Sequence, residues 1–196
     1  MTELYTRLTL FDKIRSTNSE TAWVEYVSYY KGYIYALLRG MDVPPHDSDD
    51  LLQVILVKCW KYLPQFEYNP ERCKFRSWLT IMVRNTVRDH FKSKSYKSKQ
   101  LETDITQFSN TLQSDDYITK YAEKEWRIYV AELAWKTVSK EFKDTVIDAF
   151  VRRANGEKIA DIAEELDLAP SSVSTYEKRV KRAISKEIIR LENFLA

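Results

Sequence analysis

The scarcity of chain breakers constrains this sequence most. Its 196 residues include only three glycines and five prolines. Glycine supplies the left-handed backbone of tight turns, and both residues punctuate helices. A chain so short of them makes few hairpins and leaves long uninterrupted segments, which favours helices. No segment alternates apolar and polar residues in the manner of a strand, and no internal repeat is visible. The expectation is an all-α fold.

The apolar residues between breakers recur at helical spacing. In "SETAWVEYVSYYKGYIYALLRGM" they fall at Trp23, Val27, Tyr30, Ile34 and Leu37 or Leu38, with Ser19 placed to cap the helix. Pro44 and Pro45 then break the chain, and Asp47 or Ser48 can cap the next helix. "DDLLQVILVKCWKYL" reads as that second helix, with Leu52, Ile55, Leu56, Cys59 and Leu63 on its buried stripe and Pro64 at its end. Asn69 and Pro70 mark a turn. "KFRSWLTIMVRNTVRDHFKSKS" reads as a third, with Leu79, Met82, Val83, Thr86, Val87 and His90 or Phe91 facing inward.

Residues 96–120 sustain no period and are rich in polar residues, so the reading places a flexible linker there, with a short helix near its end. The expected division is a helical bundle over 1–95, the linker over 96–120 and a second helical domain over 121–196. Charge follows a similar division. Residues 1–100 hold 16 Lys and Arg against 11 Asp and Glu, residues 101–130 hold three against six, and the remainder holds twelve of each. The second domain reads as two helices ending near Gly156, a short helix "EKIADIAEEL", a turn "DLAP" and a long last helix.

Several functions find no support in these residues. Cys59 and Cys73 form no CxxC pair, and His46 and His90 lie far apart, so no metal set or cofactor is expected. The same absence of a nucleophile, carboxylate pair or phosphate-binding loop argues against an enzyme. With no run of 18 apolar residues and no signal-peptide pattern at the N-terminus, the expected place is the cytoplasm, without membrane insertion.

Three constellations remain. "KIADIAEELDLAPSSVSTYEKRVKRAI" has the layout of a helix-turn-helix, with small Ala163 where two helices cross closely. Ser171, Ser172, Ser174 and Thr175 open its second helix and can bond phosphates or base edges, while Lys178, Arg179 and Arg182 can neutralise a DNA backbone. The bland alternative is a helical hairpin with a solvated basic face. In the third helix Arg84, Arg88 and Lys92 recur four apart beside Asn85, with Phe75, Arg76 and Trp78 at the front. Basic residues hold phosphates and aromatics stack on unpaired bases, although a Trp at helical spacing is also ordinary core. In "DSDDLLQVILVKCW", Asp49, Asp50 and Gln53 form either a helix-capping turn or a polar patch for another protein.

In this order, the blocks "DSDDLLQVILVKCWKYLPQF", "KFRSWLTIMVRNTVRDHFK" and "KIADIAEELDLAPSSVSTYEKRVKRAI" resemble a bacterial RNA polymerase sigma factor of the small two-domain extracytoplasmic-function (ECF) type, in the sigma-70 family. The resemblance covers roughly residues 20–95 and 125–190. It implies a protein without catalysis of its own that binds core RNA polymerase, directs promoter recognition and helps melt the −10 region. Asp49, Asp50 and Gln53 would meet the β′ clamp, with Lys58 and Trp60 near that face or its support; Val54 stands where the family usually carries Glu. The stretch from Asn69 through Lys74 to Phe75 would hold a flipped base. Arg76, Trp78, Arg84, Asn85, Arg88 and Lys92 would line the single-stranded −10 DNA. Ser171, Ser172, Ser174, Thr175, Lys178, Arg179 and Arg182 would read the −35 duplex. The resemblance further implies contact with the β flap, a monomer when free, and an inhibitory anti-sigma partner that no residue here identifies. The alternative is a stand-alone helix-turn-helix transcriptional regulator.

Overall fold

The computed structural model describes residues 20–66, 75–99 and 114–195, apart from the side chains of residues 94–99 and 194. The candidate cap Ser19 and the residues Asn69, Lys74 and Cys73 lie outside them, as do residues 100–113 of the expected linker. Every regular element among the described residues is helical: α1 (Glu20–Gly40), α2 (Pro45–Tyr62), a 3-10 turn (Leu63–Gln65), α3 (Phe75–Lys99), α4 (Asp115–Val138), α5 (Asp144–Ala154), α6 (Ile159–Glu165) and α7 (Pro170–Leu195). The all-α expectation holds. The chain divides into two compact units, residues 1–129 with 194–196, and residues 130–193. Helix covers residues 96–99 and 115–120 of the stretch read as linker.

In the first unit α1, α2 and α3 each pack against the other two. The core is built from spacing of three and four: Tyr26, Tyr30, Tyr33, Leu37 and Leu38 from α1, Leu51, Leu52, Ile55 and Cys59 from α2, and Phe75, Leu79, Val83 and Val87 from α3. Fully burying each large apolar side chain contributes about 1.5–3 kcal/mol. The aromatic rings add edge-to-face and tilted contacts, with Tyr26 4.7 Å from Tyr30 and Tyr30 5.1 Å from Phe75. Burial pushes the Cys59 thiol up to about 11, so it is an inert core group 3.6 Å from the Met82 sulfur.

Residues 115–129 of α4 complete this unit, burying Ile118, Ala122 and Trp126. Close approach to α1 is possible because glycine stands at two places. A Cβ at Gly32 would lie 2.8 Å from the Tyr129 ring, and one at Gly40 would overlap the Tyr121 ring. The two glycines are eight apart and the two tyrosines are eight apart in the opposite sense, so α4 runs antiparallel along α1.

Helix ends follow two rules. Helix α2 opens with Pro45 at its first position, where the missing N–H costs nothing. The caps expected at Asp47 or Ser48 do not form. Both lie inside the first turn, where the Asp47 N–H and Ser48 hydroxyl donate to the Pro44 carbonyl at 3.0 and 3.1 Å. Helices α1, α5 and α6 end in a left-handed residue: Asp42 (φ 55), Gly156 (φ 89) and Asp167 (φ 51). In each, two N–H groups fold back onto the last turn; Leu168 N donates to Ala163 O at 2.8 Å. Gly156 was visible as such an end from the sequence. The two aspartates were not, because they reach this conformation at a cost that glycine avoids.

The second unit has a smaller core, Ala149, Ile162, Ala163 and Val173, with Ile159, Leu166, Leu168 and Tyr176 packed around it. Helix α6, the turn through Asp167 and helix α7 form the expected helix-turn-helix, and Ala163 is the small residue at its crossing.

Candidate nucleic-acid and polymerase interfaces

The outer face of α2 presents Asp49, Asp50 and Gln53, all exposed, together with Val54 and Val57 at 47% and 67% exposure. The Tyr35 hydroxyl donates to Asp49 Oδ1 and fixes its direction, which raises the phenol's own pKa. Asp50 and Gln53 remain on the surface. Acids there also suit the positive end of the α2 dipole. Asp47 instead is nearly buried, with His46 Nε2 at 3.5 Å and His90 Nε2 at 3.7 Å, and so ties the start of α2 to α3.

Lys58 and Trp60, expected near the polymerase face or its support, turn toward neighbouring helices. Lys58 turns toward α3, donating to Thr86 Oγ1 at 3.0 Å with Asp89 at 3.9 Å. Trp60 is half-buried, edge-on to Trp23 at 5.0 Å.

Helix α3 presents two distinct polar sides rather than one. The first faces α2 across a groove of about 510 Å³, lined by Lys58, Tyr62, Phe66, Trp78, Met82 and Asn85 among others. Trp78 is half-buried, with the Phe66 ring 5.0 Å from its own. One side of the indole thus rests on neighbouring rings while the residue also lines an open groove. Asn85 on the wall and the Lys58 ammonium supply polar groups beside it. A cleft with aromatic walls, an amide and a cation suits a flat, hydrogen-bonding ligand such as an unpaired base.

Phe75 does not share that role. It is fully buried, packed against Tyr26, Tyr30, Phe66 and Trp78, and supports the groove from below. Its position at the very start of α3, immediately after a loop, made it resemble a loop residue. The four-residue spacing to Leu79 makes it the first core residue of the helix.

The second side of α3 bears Arg76, Arg84 and Arg88. The Arg76 guanidinium lies 5.7 Å from the Trp126 ring centroid. Arg84 Nη1 is 3.0 Å from Asp115 Oδ2, and Arg88 Nη2 pairs with the other oxygen of the same carboxylate. Arg84, Arg88 and Lys92 were expected on one exposed face with Asn85 beside them. Arg84 and Arg88 keep to one side with Asp115, while Asn85, one residue and about 100° further round the helix, turns away from it. Asn85 opens onto the groove, and Lys92 is exposed.

In the second unit Ser171, Thr175, Lys178 and Arg182 fall on one exposed stripe of α7, at spacings of four, three and four, opposite buried Val173 and Val180. Ser172 and Ser174 are half-buried. The Thr175 and Ser174 hydroxyls donate to carbonyls four residues back, at 2.8 and 3.3 Å, leaving their oxygens free to accept. Arg179 lies 5.8 Å from the Phe142 ring centroid, so packing fixes its position. Lys181 is pinned to Glu177 at 2.7 Å, and Arg153 reaches the same carboxylate at 3.2 Å. Those two cations hold the Glu177 carboxyl below its ordinary value, Lys181 first.

Three residues of these sites were not anticipated: Tyr62 and Phe66 on the groove and Asp115 on the arginines. Phe66 carried a weak signal, an aromatic directly after a Pro-containing turn. Asp115 carried none, since its partners are 27 and 31 residues away. Among the described residues no group of three or more His, Cys, Asp or Glu could hold a metal ion, and no helix is long and apolar enough to cross a membrane.

Comparison with known proteins adds one assignment. A family model described as Sigma-70 region 2 matches residues 26–96, the stretch that includes α2, the groove and most of α1 and α3. No curated protein matches the chain. A solved structure titled "Structure of CnrH in complex with the cytosolic domain of CnrY" is 17% identical, covering 92% of this chain and 96% of that one with a TM-score of 0.37, a likeness too slight to carry a statement about partners. Residues 26–96 of this chain are therefore similar to the sigma-70 region 2 family.

Proposed function

We propose that the chain is a sigma factor of the ECF type, which binds core RNA polymerase, directs it to promoters and helps open the −10 region. The observation that carries this reading is the coincidence of the region 2 match with the two surfaces found on the same helices. The exposed Asp49, Asp50 and Gln53 of α2 meet the β′ clamp, with Val54 and Val57 giving the contact an apolar part. The groove bordered by Trp78, Asn85 and Lys58 receives a base of the opened non-template strand. Asn69 and Lys74, in the preceding segment, belong to the same reading, and Arg76, Arg84, Arg88 and Lys92 hold the strand's phosphates. Stacking on such a platform is worth about 1–3 kcal/mol per base, enough to offset much of the few kcal/mol that unstacking costs.

The stripe Ser171, Thr175, Lys178 and Arg182 reads the −35 duplex, with Ser172, Ser174 and Arg179 beside it. Chemistry remains with the polymerase, in the cytoplasm. An anti-sigma protein would control the factor by covering either DNA-binding unit.

Run-off transcription with core enzyme alone, the protein alone and both together, on a genomic fragment library, tests the reading. A promoter-dependent transcript appears only with both. Asp50→Arg with Gln53→Ala abolishes co-purification with core while leaving the fold within about 0.5 kcal/mol of wild type, as surface changes do. Tight duplex binding without polymerase, and no transcript with it, would instead identify a stand-alone helix-turn-helix regulator.

A further inference from the structure

Residues 115–126 of α4 meet the arginine side of α3 at two points. Near its start Asp115 accepts from both Arg84 and Arg88, and three turns later Trp126 lies against Arg76. Independent contacts hold the helix there from the other side. Tyr121 and Tyr129 seat their rings at Gly40 and Gly32, the Tyr129 hydroxyl donates to the Tyr29 carbonyl, and Glu125 pairs with Arg39 at 3.2 Å. A carboxylate offers a guanidinium the same kind of acceptor oxygens as a phosphate. Asp115 thus satisfies Arg84 and Arg88 with a group of the shape and charge that a nucleic-acid backbone would bring.

We infer that residues 115–129 act as an internal competitor for the DNA-facing arginines, so that the free chain holds this surface closed and nucleic acid reaches it when α4 releases. The inference rests on the proposed role of Arg84 and Arg88 in holding phosphates. The charged end of the latch is exposed to solvent, while buried Ile118, Ala122 and Trp126 set the cost of opening it. The side chains of Arg84, Arg88 and Asp115 retain 20%, 31% and 58% of their exposure, so water screens the pairs and they are readily exchanged. A ligand shifts such an equilibrium only through its preference for the open form, and a polyanion prefers it because the arginines are then free. The acidic balance of residues 101–130 suits a segment that sits on a basic face.

Fluorescence anisotropy of the full chain without polymerase, using a labelled single-stranded oligonucleotide of mixed sequence, tests this. Asp115→Asn, at a half-exposed position, removes the competing charge and keeps the shape. It tightens binding about two- to tenfold, the range that weak exposed ion pairs command. Gly40→Ala, which crowds Tyr121 and touches neither Arg84 nor Arg88, shifts affinity the same way. Both gains vanish when Arg84→Ala and Arg88→Ala are added, and both shrink as salt is raised. Circular dichroism confirms that the variants are folded. Unchanged affinity in Asp115→Asn, with weaker binding in Arg84→Ala plus Arg88→Ala, overturns the latch and leaves the arginines as DNA contacts. Wild-type affinity in that double variant removes the DNA role itself, and the latch with it. A gain that persists without the arginines is a general charge effect and also overturns the inference.

Discussion

The two units solve the same problem, presenting a polar surface on packed helices, with different materials. The first rests on large rings: Tyr26, Tyr30, Tyr33, Phe75 and Trp126 are all essentially buried. The second buries smaller side chains, among them Val146, Ala149, Ile162, Ala163, Val173 and Val180, so each contributes less apolar area. It relies more on its helix ends and on ion pairs, with Arg152 bridging Glu157 and Glu165, and Glu177 bridging Arg153 and Lys181. The difference matches what the proposed function asks each to display. A groove with an aromatic wall needs a rigid floor, which Phe75 provides beneath Trp78. A helix laid into a DNA groove needs only its angle set, which a short α6 and a tight turn achieve.

Phe75→Ala breaks this comparison hardest. Deleting a fully buried ring costs about 3–5 kcal/mol, and the loss falls on the first unit. Urea unfolding followed by tryptophan fluorescence should show it, because Trp23, Trp60, Trp78 and Trp126 lie in that unit and only Trp135 in the other. An unchanged midpoint would remove the ring from its place as the groove's floor. Ala163→Leu is the counterpart in the second unit. Overfilling the α6–α7 crossing costs about 1–3 kcal/mol and should weaken −35 duplex binding without affecting single-stranded binding by the first unit. Loss of both together would show that the division of labour is wrong.

The smallest effect concerns pH. Lys181 and Arg153 stabilise the ionised form of Glu177, whose carboxyl therefore titrates lower when folded than when unfolded. The stabilisation is complete above the unfolded carboxylate range, near 4.5, and is lost as pH falls through the lower folded value. Glu157 behaves in the same sense beside Arg152. Thermal melts between pH 6 and pH 3 should show the second unit losing stability on acidification, with a shallower loss in Glu177→Gln. Equal slopes for the two proteins would remove the Glu177 bridge from the comparison.

Much of this could be read from the chain. Spacing of three and four located α1, α2 and α3 and most of their buried stripes, because helical periodicity is a local property. Leu79, Val83 and Val87 were identified in that way, as were Ala163 at the crossing and the basic stripe of α7. Phe75 was misplaced because one ring beside a loop has no period of its own until the helix start is known. Trp78 stood between core and platform, since spacing gives a direction on a helix but not what lies opposite.

The sequence by itself therefore determined the helices, the turn residues and the residue types available for holding nucleic acid. Tertiary structure alone decided which of those residues share a surface. It set Lys58 beside Trp78 and Asn85 and brought Asp115 onto two arginines. The physical reason is range. A helix is specified by bonds between residues four apart, whereas a groove or an ion pair across helices depends on packing among residues tens of positions apart, as Gly40 and Tyr121 are.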